Sequence, residues 1–293
     1  MHAYKTAAAL AAFAVSGSLM AETLVTVNGS KIDSEALNHR VQTLQAQSQG
    51  QLQDSPQLRA QLLNGLITEA VVTQEAKRLK LDKKAEVKSR RDAALKEAKA
   101  RGDDKKPGFK WALAQFEYQL LVNAYAADLL AKQPVSDAEV VQHYNNLAVH
   151  YKDSDTVQLG EIISDKPEQI QAALKALRGK QSFRNVAKKY SSADNVEATG
   201  GIDSAYLPLA DLKAQQPWIY QAVAPLGKGK YTTQAVTIPN TQIQVIFYVN
   251  DRQKFVLRPL AEVQQALHND LAQARLNQAV AELQNKAKIV PAK

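Results

Sequence analysis

The 293-residue chain reads as an α+β protein: a helical domain built from both ends of the chain, with an α/β unit inserted between them. Helical apolar spacing dominates up to about Tyr151, gives way to strand-like runs between Thr156 and Asn250, and returns in one long stretch from Pro259 to about Lys286. That last stretch carries Leu260, Val263, Leu267 and Leu271 on one stripe, with Leu276, Val280 and Leu283 shifted off it. An apolar arc that wide is held by more than one neighbour, so the final helix returns to the N-terminal region. At roughly 150 residues per domain the length alone also predicts two domains.

The first segment is read as a leader, not as fold. Met1-His2-Ala3-Tyr4-Lys5 is a cationic start, Thr6 to Leu19 is apolar, and Ala21 supplies a small residue before Glu22. The 16 residues Thr6–Ala21 fall short of the ~20 a membrane span needs, so residues 1–21 are expected to be a cleaved signal peptide and the compartment a bacterial periplasm, or the extracellular side in an organism without an outer membrane. With no cysteine anywhere in the chain, a lipid anchor on a cysteine, disulfides, thiol nucleophiles, Fe–S clusters and thiolate zinc sites are all excluded.

Further along, Leu24–Val27 is a strand and Asn28-Gly29 a tight turn; Asp33 or Ser34 caps a helix to about Ser48. Ser55-Pro56 opens a helix to about Leu81, and a third runs from Phe109 to Lys132 until Pro134 stops it. Ser136 and Glu139 have the spacing of a capping box for a fourth. A strand follows over Thr156–Ser164, then helices Lys166–Arg178 and Phe183–Tyr190 and a loop into Gly200-Gly201. Two strands close the unit, Tyr231–Ile238 and Gln242–Asn250, the second apolar enough to be central.

The charge is local. Without the leader there are 36 basic and 29 acidic residues, and Lys83–Lys106 alone holds ten basic against five acidic. No aromatic residues are interleaved there for base stacking, which argues against nucleic acid. The stretch reads as a solvated helix face, with contact to an anionic membrane surface, lipopolysaccharide or acidic clients as the alternative.

The order of strand, helix, Ser182-Phe183-Arg184-Asn185-Val186-Ala187-Lys188-Lys189-Tyr190-Ser191, Gly200-Gly201, Leu226-Gly227-Lys228-Gly229-Lys230-Tyr231 and Val249-Asn250-Asp251-Arg252 resembles a parvulin-type peptidyl-prolyl isomerase domain over residues 155–252. The flanks, Val25-Thr26-Val27-Asn28-Gly29 and Val135-Ser136-Asp137-Ala138-Glu139, resemble the SurA/PrsA class of exported chaperone-isomerases. The resemblance implies a helical chaperone domain from residues 22–150 completed by 253–293, and an inserted domain with an antiparallel sheet flanked by helices. It implies no cofactor and no metal. The partners it implies are unfolded or nascent exported polypeptides with Xaa-Pro bonds, outer-membrane proteins among them, and a second copy of the chain in a homodimer.

Rotation about an Xaa-Pro bond breaks amide resonance against a barrier of ~18–20 kcal/mol and needs no covalent step. A catalyst holds the proline in an apolar slot, excludes water and favours the twisted amide over the planar one. In parvulins a Cys or Asp and two histidines stand over an apolar floor. Mapped onto this chain, the acidic position falls on Asp194, the first-strand histidine on Glu161 and the last-strand histidine on Val245. The five histidines, His2, His39, His143, His150 and His268, all lie outside residues 151–267, so no shift of alignment restores either one. The floor falls on Leu212 and Ile219, with Tyr206 at an aromatic position.

This mapping predicts that Glu161 and Asp194 share a cavity, and that isomerase activity is weak. Asp194 also reads as a plain turn residue, and Glu161 as a strand-end carboxylate paired with a lysine. Gly227-Lys228-Gly229-Lys230 lacks phosphate-loop spacing and is a turn. Two functions from different classes follow: a binding protein whose helical domain holds unfolded chains along a concavity lined by Trp111, Phe116 or Leu120, and an enzyme that isomerises their prolyl bonds.

Overall fold

The computed structural model describes residues 22–49 and 51–292; the expected leader, residues 1–21, lies outside them. β1 (Thr23–Val27) and β2 (Ser30–Asp33) form a hairpin. Its turn residues Asn28 and Gly29 have φ of 49° and 85°, the left-handed pair that lets a two-residue turn follow the strand twist. α1 (Ser34–Gln47) is capped by Asp33, whose carboxylate accepts from the Ala36 N–H at 2.9 Å. α2 (Pro56–Arg78) begins on Ser55 as cap with Pro56 in its first turn. α3 (Ala85–Arg101) is the helix of the basic stretch and stops at Gly102, φ 69°. α4 (Phe109–Lys132) follows. α5 (Asp137–His150) opens on a complete capping box, the Ser136 hydroxyl accepting from Glu139 N and the Glu139 carboxylate from Ser136 N.

The chain then runs through β3 (Asp155–Ser164), α6 (Pro167–Arg178), α7 (Phe183–Tyr190), one turn of α8 (Val196–Thr199), β4 (Ile202–Pro208), α9 (Leu209–Gln215) and α10 (Pro217–Val223). It ends with β5 (Val236–Thr237), β6 (Gln244–Lys254), α11 (Leu260–Lys286) and β7 (Ile289–Pro291). Both sheets are antiparallel, in the orders β2-β1-β7 and β4-β3-β6-β5.

Where a full strand is expected over Tyr231–Ile238, only Val236–Thr237 pairs regularly. Tyr231 makes an isolated bridge to Tyr248. The Thr232 hydroxyl then takes the Phe247 N–H at 3.1 Å, a side chain standing in for the backbone of a ladder. The chain next leaves the sheet, and the Thr233 carbonyl accepts from Arg178 instead.

Two compact units result. The first comprises residues up to 135 together with those from 270. Here the chain's beginning and end share a sheet: Val25 pairs with Pro291 and Val27 with Ile289. Asn28 fastens the joint, its N–H donating to Lys288 O at 2.9 Å and its side-chain oxygen accepting from Lys288 N at 2.8 Å. Val25, Val27, Ile32, Val71, Val72, Leu81, Leu121 and Tyr125 form the core, and Leu276, Val280 and Leu283 pack against it. The shifted stripe of the last helix thus belongs to this unit.

The second unit comprises residues 136–269; α5 and the start of α11 are grouped with it, and Tyr144 donates from its hydroxyl to the Arg258 carbonyl at 3.0 Å. Its sheet separates two apolar layers. On one face Ile162 and Ile246 pack with Ile170 and Leu174 of α6 and with Phe183 and Val186 of α7. On the other, Val157, Leu159, Val245, Phe247 and Val249 pack with Leu209 and Leu212 of α9 and Ile219 and Val223 of α10.

Candidate functional site

Period-2 alternation along β3 places Glu161. Ile162 enters the α6–α7 layer, so Glu161 belongs to the face carrying Leu159 and Ile163. It is the seventh residue of the ten-residue strand, not a strand end, and lies directly across from Phe247 on β6. Among the described residues no hydrogen bond or ion pair engages its carboxylate, so the expected lysine partner is not there. Burial, first, and then the negative charge of Asp203 push the Glu161 carboxyl above its usual range.

Its backbone is held closely. Glu161 N donates to the Gly201 carbonyl at 2.7 Å, and Gly200 and Gly201 have φ of 64° and 71°. A Cβ on Gly201 would lie 2.7 Å from Glu161 O, and one on Gly200 2.8 Å from Arg184 Cγ, so the pair is required both by conformation and by space.

Asp194 sits exposed on a turn before Asn195, whose φ is 60°. The loop leading to it is tied to β3 by Ser192 N to Ile163 O at 2.8 Å and Ile163 N to Ser191 Oγ at 3.0 Å. The acid that bears on Glu161 is Asp203, not Asp194. Leu212, Ile219 and Val245 are 4%, 8% and 1% exposed within the α9–α10 layer. Tyr206 is half exposed, donating to Asp251 at 2.7 Å; Lys228 reaches the other Asp251 oxygen at 2.7 Å. Sequence reasoning missed Asp203 and Phe247; the signal for Asp203 was its place two residues after Gly201, one beyond the buried Ile202.

The helical unit carries a different feature, a groove of about 900 Å³ with Phe109, Trp111 and Phe116 of α4 on one side and Ala36 and His39 of α1 on the other. The His39 ring stacks on Trp111 at 5.3 Å, and Gly108 lets the chain pass His39, since a Cβ there would lie 3.3 Å from its Nε2. At the rim Arg40 pairs with Glu69, and Arg101 and Lys106 both pair with Asp103. Burial raises Glu69 despite that arginine. Leu120 does not line this groove; it is buried, and with Leu121 borders a second one of about 620 Å³ beside Lys83, Lys88 and Arg91.

Among the described residues no cluster of three or more His, Asp or Glu is placed to hold a metal, and no helix is long and apolar enough to cross a membrane.

A helical unit closed by both chain ends and an α/β unit with an antiparallel sheet between two helical layers is the architecture that the resemblance implied. Residues 3–93 match the model of the SurA-like N-terminal domain. Over 92% of its length the chain is 26% identical to a probable parvulin-type peptidyl-prolyl cis-trans isomerase of Bordetella pertussis, covering 93% of that protein. It is 24% identical to the foldase protein PrsA of Clostridium botulinum strain 657, over 88% of this chain and 83% of that one. A crystal structure of PrsA from Bacillus anthracis, 21% identical, covers 76% of this chain and 94% of its own with a TM-score of 0.39. The chain is thus similar to the SurA-like N-terminal domain over residues 3–93 and, over most of its length, to parvulin-type isomerases and PrsA foldases.

Proposed function

We propose that the protein is a periplasmic folding factor that holds unfolded exported chains, outer-membrane proteins among them, on its helical unit and isomerises their Xaa-Pro bonds weakly on its α/β unit. The carrying observation is the groove of Phe109, Trp111 and Phe116, about 900 Å³ in extent, wide enough for several side chains of an extended segment. An unfolded chain held by many weak apolar contacts needs such a surface rather than one deep pocket. The isomerase part is supported by the names of the relatives and by the Glu161 face.

A second reading has its own support: Leu212, Ile219 and Val245 are buried and both family histidines are missing, which favours a holdase with a catalytically degenerate domain. Aggregation of an unfolded outer-membrane protein and cis-trans turnover of a proline peptide, measured on one sample, separate the two. Protection with measurable turnover supports the folding factor; protection without turnover supports the holdase; neither activity sinks both.

An anionic membrane surface belongs to the same reading. On α3 Glu86 and Glu97 pair with Arg90 and Arg101 one turn on, whereas Lys88, Lys96 and Lys99 make no ion pair among the described residues. By helical geometry these three lysines span about 80° of the helix, a stripe suited to phosphate headgroups at ~1 kcal/mol per residue near the surface. Co-sedimentation with phosphatidylglycerol vesicles but not with phosphatidylcholine, weakened by changing the three to Gln, is the expected result. Equal binding to both vesicles removes this partner.

A further inference from the structure

The isomerase reading above leaves open which group acts on the prolyl bond, and the register of β3 and β4 supplies a candidate pair. Gly160 pairs with Ile202, and Glu161 N bonds the Gly201 carbonyl. Ile202 belongs to the α6–α7 layer, which by alternation turns Asp203 to the opposite face, that of Glu161. Asp203 is therefore the diagonal neighbour of Glu161 on the adjacent antiparallel strand, at the start of an irregularity in which Asp203, Ser204 and Ala205 stand opposite Leu159, and its carboxylate also accepts from Ala205 N at 3.0 Å.

Among the described residues no cation is paired with Glu161 from the surrounding elements. β6 presents Val245, Phe247 and Val249, while α9 and α10 present Leu209, Leu212, Ile219 and Val223. Of the charged groups on these elements, Asp211 is bonded by His150 at 2.9 Å and Tyr151 at 3.0 Å. The Lys213 ammonium lies over the Tyr220 ring, and Asp251 is held by Tyr206 and Lys228. A carboxyl beside an aromatic ring on one strand and an acid on the other, with no cation, favours the protonated form.

We propose that Glu161 is the catalytic residue of this face, donating from its carboxyl O–H to the prolyl nitrogen, and that Asp203 is the positioning residue that keeps the proton on Glu161. The nitrogen lone pair is tied up in the planar amide and becomes a hydrogen-bond acceptor when rotation breaks the resonance. The donor therefore strengthens its contact in the transition state and not in either ground state. No covalent bond forms or breaks, and the proton stays on Glu161 throughout.

The test uses the full chain, with turnover of a proline peptide measured against pH and the Glu161 carboxyl followed by carbon NMR. Turnover is expected to fall as pH rises through the Glu161 titration. Glu161→Gln, which keeps a donor, should retain turnover and flatten the profile, whereas Glu161→Ala should lose about tenfold. Asp203→Asn removes the like charge and should move both the carboxyl titration and the turnover profile to lower pH. A flat wild-type profile with activity intact, or turnover lost in Asp194→Ala but not in Glu161→Ala, overturns the donor role and leaves the isomerase reading standing. An unmoved Glu161 titration in Asp203→Asn overturns the pairing. Absence of wild-type turnover at every pH overturns the isomerase reading and the donor role with it, while the titration shift still reports on the pairing separately.

Discussion

At Gly201 the second strand of the inserted sheet comes so close to the first that a methyl group would meet both Glu161 O at 2.7 Å and Ala187 Cβ at 2.8 Å. Strain of about 1–3 kcal/mol attends a non-glycine residue at such a backbone; with the clash added, Gly201→Ala should lower the denaturant midpoint strongly. Glu161 makes stability depend on pH. Its folded carboxyl binds the proton more tightly than the unfolded chain does, so its contribution is complete below the unfolded pKa and is lost as pH rises through the folded value. Glu161→Gln should therefore be more stable than the parent above that titration and gain nothing below it, read from urea midpoints at acid and neutral pH. Asp155 runs the other way: hydrogen bonds from Lys254 and Arg252 hold it low, and what it contributes disappears as pH falls through its folded pKa. That Glu161 stands on a strand was legible from the apolar run Thr156–Ser164. Asp203 was not, because Asp203, Ser204 and Ala205 are all exposed and read as loop.

The elements that could be read were those whose ends carry their own chemistry. Asp33, Ser55 and Ser136 each accept from a backbone N–H three residues on, and such caps are worth about 1 kcal/mol wherever the helix packs. Ser136→Ala should cost about that much in the thermal or urea unfolding of the second unit. The elements that escaped, β4, α9, α10 and the irregular stretch before β5, depend on neighbours. Thr232 still donates its N–H to Phe247 O at 2.9 Å, but it is its hydroxyl, not a carbonyl, that accepts from Phe247 N. On α4, Trp111 and Phe116 were legible as candidate client contacts, but Leu120 was not separable from them by spacing, since the same helix buries one side and opens another. Trp111→Ala should reduce protection of an aggregating client a few-fold while leaving the helical signal in circular dichroism unchanged.

Taken as a whole, the molecule depends on its last two dozen residues to finish its first unit. Arg275 donates to the Gln133 carbonyl at 2.6 Å, so the chain leaves and re-enters that unit at neighbouring points. Joining residue 135 to residue 270 through a short flexible linker should give a protein that unfolds cooperatively and still protects a client. Ending the chain at Asn269 should not, because β1 loses its partner β7 and the core loses Leu276, Val280 and Leu283. Equal cooperativity of the two by calorimetry would show that the N-terminal segment folds alone.

By itself the sequence determined the α+β class, the return of the last helix to the N-terminal region, the helix starts capped by Asp33, Ser55 and Ser136, and the hairpin turn. These follow from caps, turn residues and periodicity, whose free energies are local and survive in any tertiary setting. Tertiary structure decided that Asp203 bears on Glu161, that Leu212, Ile219 and Val245 are buried, and that β1 and β7 share one sheet. Strand register sets those pairings, and a register is chosen by the sum of contacts across the sheet, not by any residue in it.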